Sequence, residues 1–321
     1  MKYSKVFFHG LLLTLCFLAC SKDEGFVNTD INSSNNSNEK AELSIHVTDA
    51  PIDNSEVEAC FVTIAGIYLD GVKVEAFSET TVDLLAYQNS DTYKLGDFEV
   101  DSRNYSSIEL ELMAESPDEA THPHGSYILD SEGKAHALIN NSVFVSLSSE
   151  FEADASTKTE IVLDFDLRKC VKEQDDENDK YDFVSNSKLN GAIRVSALSD
   201  THILGECSSL LKYSDEVIVY IYNKGEFNAE NEIQTESETK LQFRNAVSSS
   251  KLNGQKKFQL SFLKEGDYEL HFYGYDFDQE GQLQLKGKLE VESLTTLLNL
   301  VDINVTAQSN IELSLMIVGM Q

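Results

Sequence analysis

The chain has 321 residues, 41% of them hydrophobic, so it can bury a core and has room for about two ordinary domains. Its 25 basic residues stand against 55 acidic ones, a formal charge of −30. That balance repels nucleic acid and anionic membrane surfaces, whose binding needs basic patches, and leaves cations and basic partners as candidates.

Lys2 and Lys5 open a short basic segment that runs into "VFFHGLLLTLCFLA", Val6 to Ala19. This apolar run is shorter than the roughly 20 residues that a spanning helix needs, and it suits the apolar region of a removable signal. Residues 1–19 therefore read as a signal peptide. Small Ala19 precedes Cys20, whereas bulky Leu15 precedes Cys16, so Cys20 is the expected lipidated N-terminus. Ala19-Cys20 resembles the bacterial lipobox. The following Ser21-Lys22-Asp23-Glu24 resembles the signal that sends lipoproteins of Bacteroidetes to the outer face. The resemblance implies a lipid anchor in the outer membrane and exposure at the cell surface. Residues 20–41, with "GFVNTDINSSNNSNEK", are rich in Asn and Ser and read as a flexible tether.

From Glu42 the pattern changes to period two. "LSIHVTDAP", "EACFVTIAGIYLDG", "SSIELELM", "SVFVSL" and "TEIVLDFDL" read as strands. Asp70-Gly71, "NSDTYKLGD" and "DSEGK" read as turns, and "TTVDLLAYQ" as one short helical turn. The spacing predicts a first β domain over 42–198, a linker over 199–212 and a second β domain over 213–321. The second opens with "EVIVYIYNKGEF" and closes with "LNLVDINVTAQSNIELSLMIV". The expected fold class is all-β: two β-sandwich-like domains after a lipoprotein signal and a flexible tether.

Thr48-Asp49-Ala50-Pro51 after a first strand, "FVTIAGIYLDG", Asp83-Leu84-Leu85, "YSSIELEL", "YILDSEGK" and Leu163-Asp164-Phe165-Asp166 carry a resemblance. Leu43 to Leu198 resembles the bacterial domain-of-unknown-function family 4382, found in secreted or lipid-anchored proteins, which implies no particular activity. "FLKEGDYELHFYGYDFD" is similar to the turn-into-strand pattern of transthyretin-like and carboxypeptidase-regulatory-like β-sandwiches, with Glu265-Gly266 in place of their proline-glycine turn. That likeness implies a binding or spacer element.

Asp164 and Asp166 alternate with Leu163, Phe165 and Leu167, so both carboxylates share one strand face, about 7 Å apart. With Asp49 they could hold a cation or serve hydrolysis; the plain alternative is an open polar face with Arg168 as partner. His122 and His124 sit among Glu115, Asp118 and Glu119, as a zinc or copper site could, but without an accompanying HExxH or Cys-His set. "KEQDDENDKYD" lacks the glycine of a calcium loop and reads as a solvated acidic loop. Asp276, Asp278 and Glu280 match the first half of such a loop, but Gly287 stands where its last acid belongs, which favours a hairpin turn. Cys60 reads as a core residue, and Cys170 and Cys207 as a candidate disulfide.

No nucleophile elbow, phosphate loop or dinucleotide fingerprint occurs. The expectation is a non-enzymatic surface binding or adhesion module. It would need no cofactor other than a candidate calcium ion, and its partner would be a glycan or an envelope protein. The alternatives are an envelope hydrolase using Asp164/Asp166 or His122/His124, and an accessory subunit of an envelope complex.

Overall fold

The computed structural model describes residues 39–50, 57–113, 125–138, 143–174, 180–209, 213–236, 241–279, 281–294, 299–307 and 309–321. The predicted signal, Cys20, nearly all of the tether, His122, His124, Glu280 and the acidic run 175–179 lie outside the described residues.

The period-two pattern builds the first half as read. Leu43, Ile45 and Val47 of the Lys40–Ala50 strand are fully buried on one face. This strand is central in a four-stranded sheet, parallel to Thr159–Asp166 and antiparallel to Tyr93–Asp101, with Ile193–Ala197 beyond. A seven-stranded sheet covers it. There the long Val57–Leu69 strand pairs with Arg103–Leu112 and with the Tyr127–Asp130 and Ala135–Ala137 hairpin. Ile64, Ile67, Ile108, Leu110, Leu163 and Phe165 fill the single core between the sheets. Each such side chain stabilises the fold by about 1.5–3 kcal/mol when fully buried. Asp70-Gly71 turns in the left-handed region, as predicted, and Leu84–Ala86 is the short helical turn.

The second half is one eight-stranded sheet folded into two layers. Leu283–Ser293 pairs first with Gly266–Phe277 and then with Ile311–Met320, and so passes from one layer to the other. Val219 and Ile221 of Glu216–Asn223 enter the core between the layers. Ile218, Tyr220 and Tyr222 point the other way, into a second, aromatic core with Phe243 and Tyr273. That is why "EVIVYIY" is apolar without a break: both of its faces are covered.

Three readings of the sequence change. The predicted linker is mostly a strand: Thr201–Ser209 lies between Lys257–Leu263 and Ile311–Met320 in the second sheet. Gly205 is small because its cross-strand partner Phe258 lays a ring over it, where any Cβ would collide. The predicted turn Asn89–Asp97 is a turn only at its start, and Tyr93–Asp101 is an edge strand. The Cys170–Cys207 disulfide is also overturned. Cys60 and Cys170 belong to the first core and Cys207 to the second, and all three are free thiols. Among the described residues, no helix is long and apolar enough to cross a membrane.

Candidate functional site

The end of the Thr159–Asp166 strand gathers most of the charge that is buried. In the parallel ladder Asp164 stands level with Thr48 and Asp166 with Ala50, whereas Asp49 stands level with Phe165. Asp164 and Asp166 thus share the outer face, and Asp49 faces the core with Phe165. All three are buried, at 7%, 7% and 4% exposure. The predicted open polar face is not open, because the second half of the chain lies against it within one compact unit, Ser37–Gln321.

Each carboxylate is already engaged. Arg168 grips Asp166 with two parallel bonds, Nε to Oδ1 at 2.9 Å and Nη2 to Oδ2 at 2.8 Å, and Lys169 adds a third contact at 3.1 Å. Burial pushes the Asp166 carboxyl up, but the two cations outweigh it and hold it at about 2. Asp164 pairs with Arg194, its antiparallel cross-strand partner. Burial nevertheless raises the Asp164 carboxyl above its ordinary value. Among the described residues, Asp49 has no cation in contact. Its Oδ1 accepts the Leu167 N–H at 3.2 Å and its Oδ2 the Gln88 amide at 3.3 Å. Burial therefore pushes it far up, and the charges of Asp166 and Asp164 add to the shift.

Asp49 therefore has a stability signature. Its carboxyl is raised in the fold, so its contribution favours the fold at low pH and is lost as pH rises through the folded value. Asp49→Asn is neutral at every pH. The variant is expected to be more stable than the parent at pH 8, with the gap closing below about pH 4. Urea unfolding at the two pH values checks this, and an equal gap at both would contradict it.

The cations also join the two halves. Arg194 Nη1 donates to the Phe262 carbonyl at 2.9 Å and Nη2 to the Ser261 carbonyl at 3.2 Å. Lys169 Nζ donates to the Ala246 carbonyl at 2.7 Å, and the Arg168 guanidinium lies 5.6 Å from the Tyr220 ring centre. Lys188 pairs with Glu236 at 3.0 Å and Gln259 donates to Ser90 Oγ at 2.5 Å. Ser261 and Phe262 sit where the ladder slips register, and Phe262 has φ +55°. This bulge turns two successive carbonyls towards one guanidinium. Beside the joint lies a cleft of about 420 Å³ with Asp164, Asp166 and Glu226 among its acids and Lys169, Arg194 and Arg244 among its bases.

Of the residues singled out in the sequence, Asp166 pairs with Arg168 while Asp164 pairs with Arg194, and both carboxylates are buried at the joint. Arg194 and Lys169 were missed. The signal was present for Arg194, a lone cation between Ile193 and Val195 on an apolar strand. Asp276 and Asp278 serve the predicted hairpin. Lys286 pairs with Asp276 at 2.7 Å, and Asp278 accepts the Gln282 N–H at 2.8 Å and the Gln284 amide at 3.0 Å. Among the described residues, no group of three or more His, Cys, Asp or Glu side chains could hold a metal ion.

Residues 40–184 match the family model described as a domain of unknown function, DUF4382, in agreement with the resemblance seen in the sequence. No curated protein matches the chain. Solved structures similar to it at low identity include the following. The Bacillus anthracis TIE protein is 13% identical over 88% of this chain and 34% of its own, with a TM-score of 0.18. BcpA, the major pilin subunit of Bacillus cereus, is 9% identical over 87% of this chain and 70% of its own, with a TM-score of 0.23. A major pilin protein (T-13) of Streptococcus pyogenes is 11% identical over 86% of this chain and 96% of its own, with a TM-score of 0.18. The chain spans about a third of the TIE protein's length.

Proposed function

We propose that this is a lipid-anchored cell-envelope protein whose folded part is a non-enzymatic binding or adhesion module. One observation carries the reading. The carboxylates best placed for hydrolysis are clasped by Arg168, Lys169 and Arg194 of the same chain. A general acid or nucleophile must face its substrate with a free oxygen, whereas these oxygens hold cations that reach across to the second half. Two joined sandwiches make a stiff body on which surface loops can meet a glycan or an envelope protein.

The anchor is proposed at Cys20, behind the signal of residues 1–19. A mature N-terminus with several acyl chains is held firmly in a bilayer, whereas one chain gives only weak, reversible binding. The full chain is expected in the membrane fraction, exposed to added protease on intact cells, and Cys20→Ser is expected in the soluble fraction. Retention of the serine variant on the membrane would refute the anchor. For the folded part, binding to a glycan or envelope-protein array without turnover supports the module; turnover of any arrayed substrate would count against it, and turnover lost in Asp164→Asn would place the chemistry at the clasped carboxylates.

A further inference from the structure

At one end of the second half the two layers part and leave a cavity of about 620 Å³, within the range of roughly 300–1,000 Å³ usual for small-molecule pockets. Its floor is the core itself: Cys207, Leu289 and Ile317 are 1%, 3% and 7% exposed. Its walls are the half-buried Tyr213, Val217 and Leu252. The polar groups of the wall are satisfied within the chain. The Tyr213 hydroxyl donates to the Val318 carbonyl at 2.9 Å and the Ser214 hydroxyl to the Glu216 carbonyl at 2.8 Å. The interior therefore offers apolar surface and makes few polar demands on an occupant.

The rim is different. Lys251 and Lys256 stand on it, and among the described residues neither ammonium group has an acidic partner. By contrast, Lys40, Lys94, Lys158, Lys224 and Lys286 each hold a carboxylate. The turn before Lys257 fixes Lys256 in place. Asn253 Oδ1 accepts the N–H groups of Gln255 and Lys257 at 2.9 and 3.0 Å, and Lys256 itself has φ +61°. Asp215 and Glu216 are also on the rim, but an Asp215 oxygen accepts the Phe277 N–H at 3.3 Å and is tied to its own sheet.

We propose that this open end binds an amphiphile with an apolar body and an anionic head, the body over Cys207, Leu289 and Ile317 and the head at Lys251 and Lys256. Binding is non-covalent. Burial pushes the Cys207 thiol up to about 12, so the sulfur at the floor stays protonated and unreactive. The proposal rests on neither the anchor nor the joint between the halves.

The probes are a dansyl-labelled long-chain carboxylate and the matching alcohol, titrated into the full chain. The carboxylate is expected to bind saturably, one per chain. Lys251→Gln with Lys256→Gln should weaken it about tenfold, the scale of two exposed charge contacts, and leave the alcohol unaffected. Leu252→Trp should block both probes by filling the cavity. The chain has no tryptophan of its own, so the new indole also reports that this region has folded. Failure of the carboxylate to saturate, or binding unchanged in the folded Leu252→Trp variant, overturns the site. Equal affinity for alcohol and carboxylate overturns the anionic head.

Discussion

Arg194→Ala is expected to lower stability by about 3 kcal/mol, the low end of the cost of breaking a buried ion pair by removing one partner, because the Arg194 side chain is 22% exposed. Asp164 would remain in place, 7% exposed, with its main compensating charge gone. The substitution also removes both guanidinium bonds to the Phe262 and Ser261 carbonyls. Those carbonyls belong to the second half and Asp164 to the first, so the loss is felt at the joint. The variant is therefore expected to unfold in two transitions where the parent unfolds in one, since each half has its own core. Arg194→Lys keeps the charge but not the planar fork, and should fall between the two. A single transition in the alanine variant, shifted by less than about 1 kcal/mol, would show that the joint is not held by this residue.

Phe243→Ala is expected to cost about 3–5 kcal/mol, as for other buried aromatic truncations. Phe243 is fully buried and stacks on Tyr220 at 4.2 Å between ring centres, with Tyr273 at 4.4 Å on another side. It comes from a loop, so no strand neighbour can slide in to fill the space. Its φ of +53° is equally strained in alanine, so the backbone gains nothing in return. The cluster it completes lies beside the joint, through Tyr220 and Arg168. Near-ultraviolet circular dichroism should register the loss, because tyrosines and phenylalanines are the only aromatics in the chain. Unchanged stability and an unchanged aromatic spectrum would contradict the packing described.

Much of the strand order was legible, because alternation is a local signal and Leu43, Ile45 and Val47 display it plainly. What failed depended on distant partners. Thr201–Ser209 went unread because its neighbour Ile311–Met320 lies about a hundred positions later, and because at Gly205 a ring of Phe258 takes the place of a side chain. Tyr93–Asp101 is an edge strand, whose Asn, Ser and Gly flank looks like a loop from sequence. The site was half legible. Alternation placed Asp164 and Asp166 on one face, but no periodicity says what covers that face. Two of the main partners of Arg194 are backbone carbonyls, which carry no side-chain signature.

The position of the first strand has a mechanical consequence. Lys40–Ala50 lies between two neighbours, and one of them, Thr159–Asp166, runs parallel to it. Tension entering through Lys40 would pull along the strand, across the hydrogen bonds on both of its sides. Those bonds would be loaded in shear and would have to rupture together, whereas an edge hairpin pulled from its open end peels one rung at a time. The lifetime of the fold under such a load is set by its unfolding rate, so a body drawn on from its N-terminal side meets the force at one of its best-supported strands.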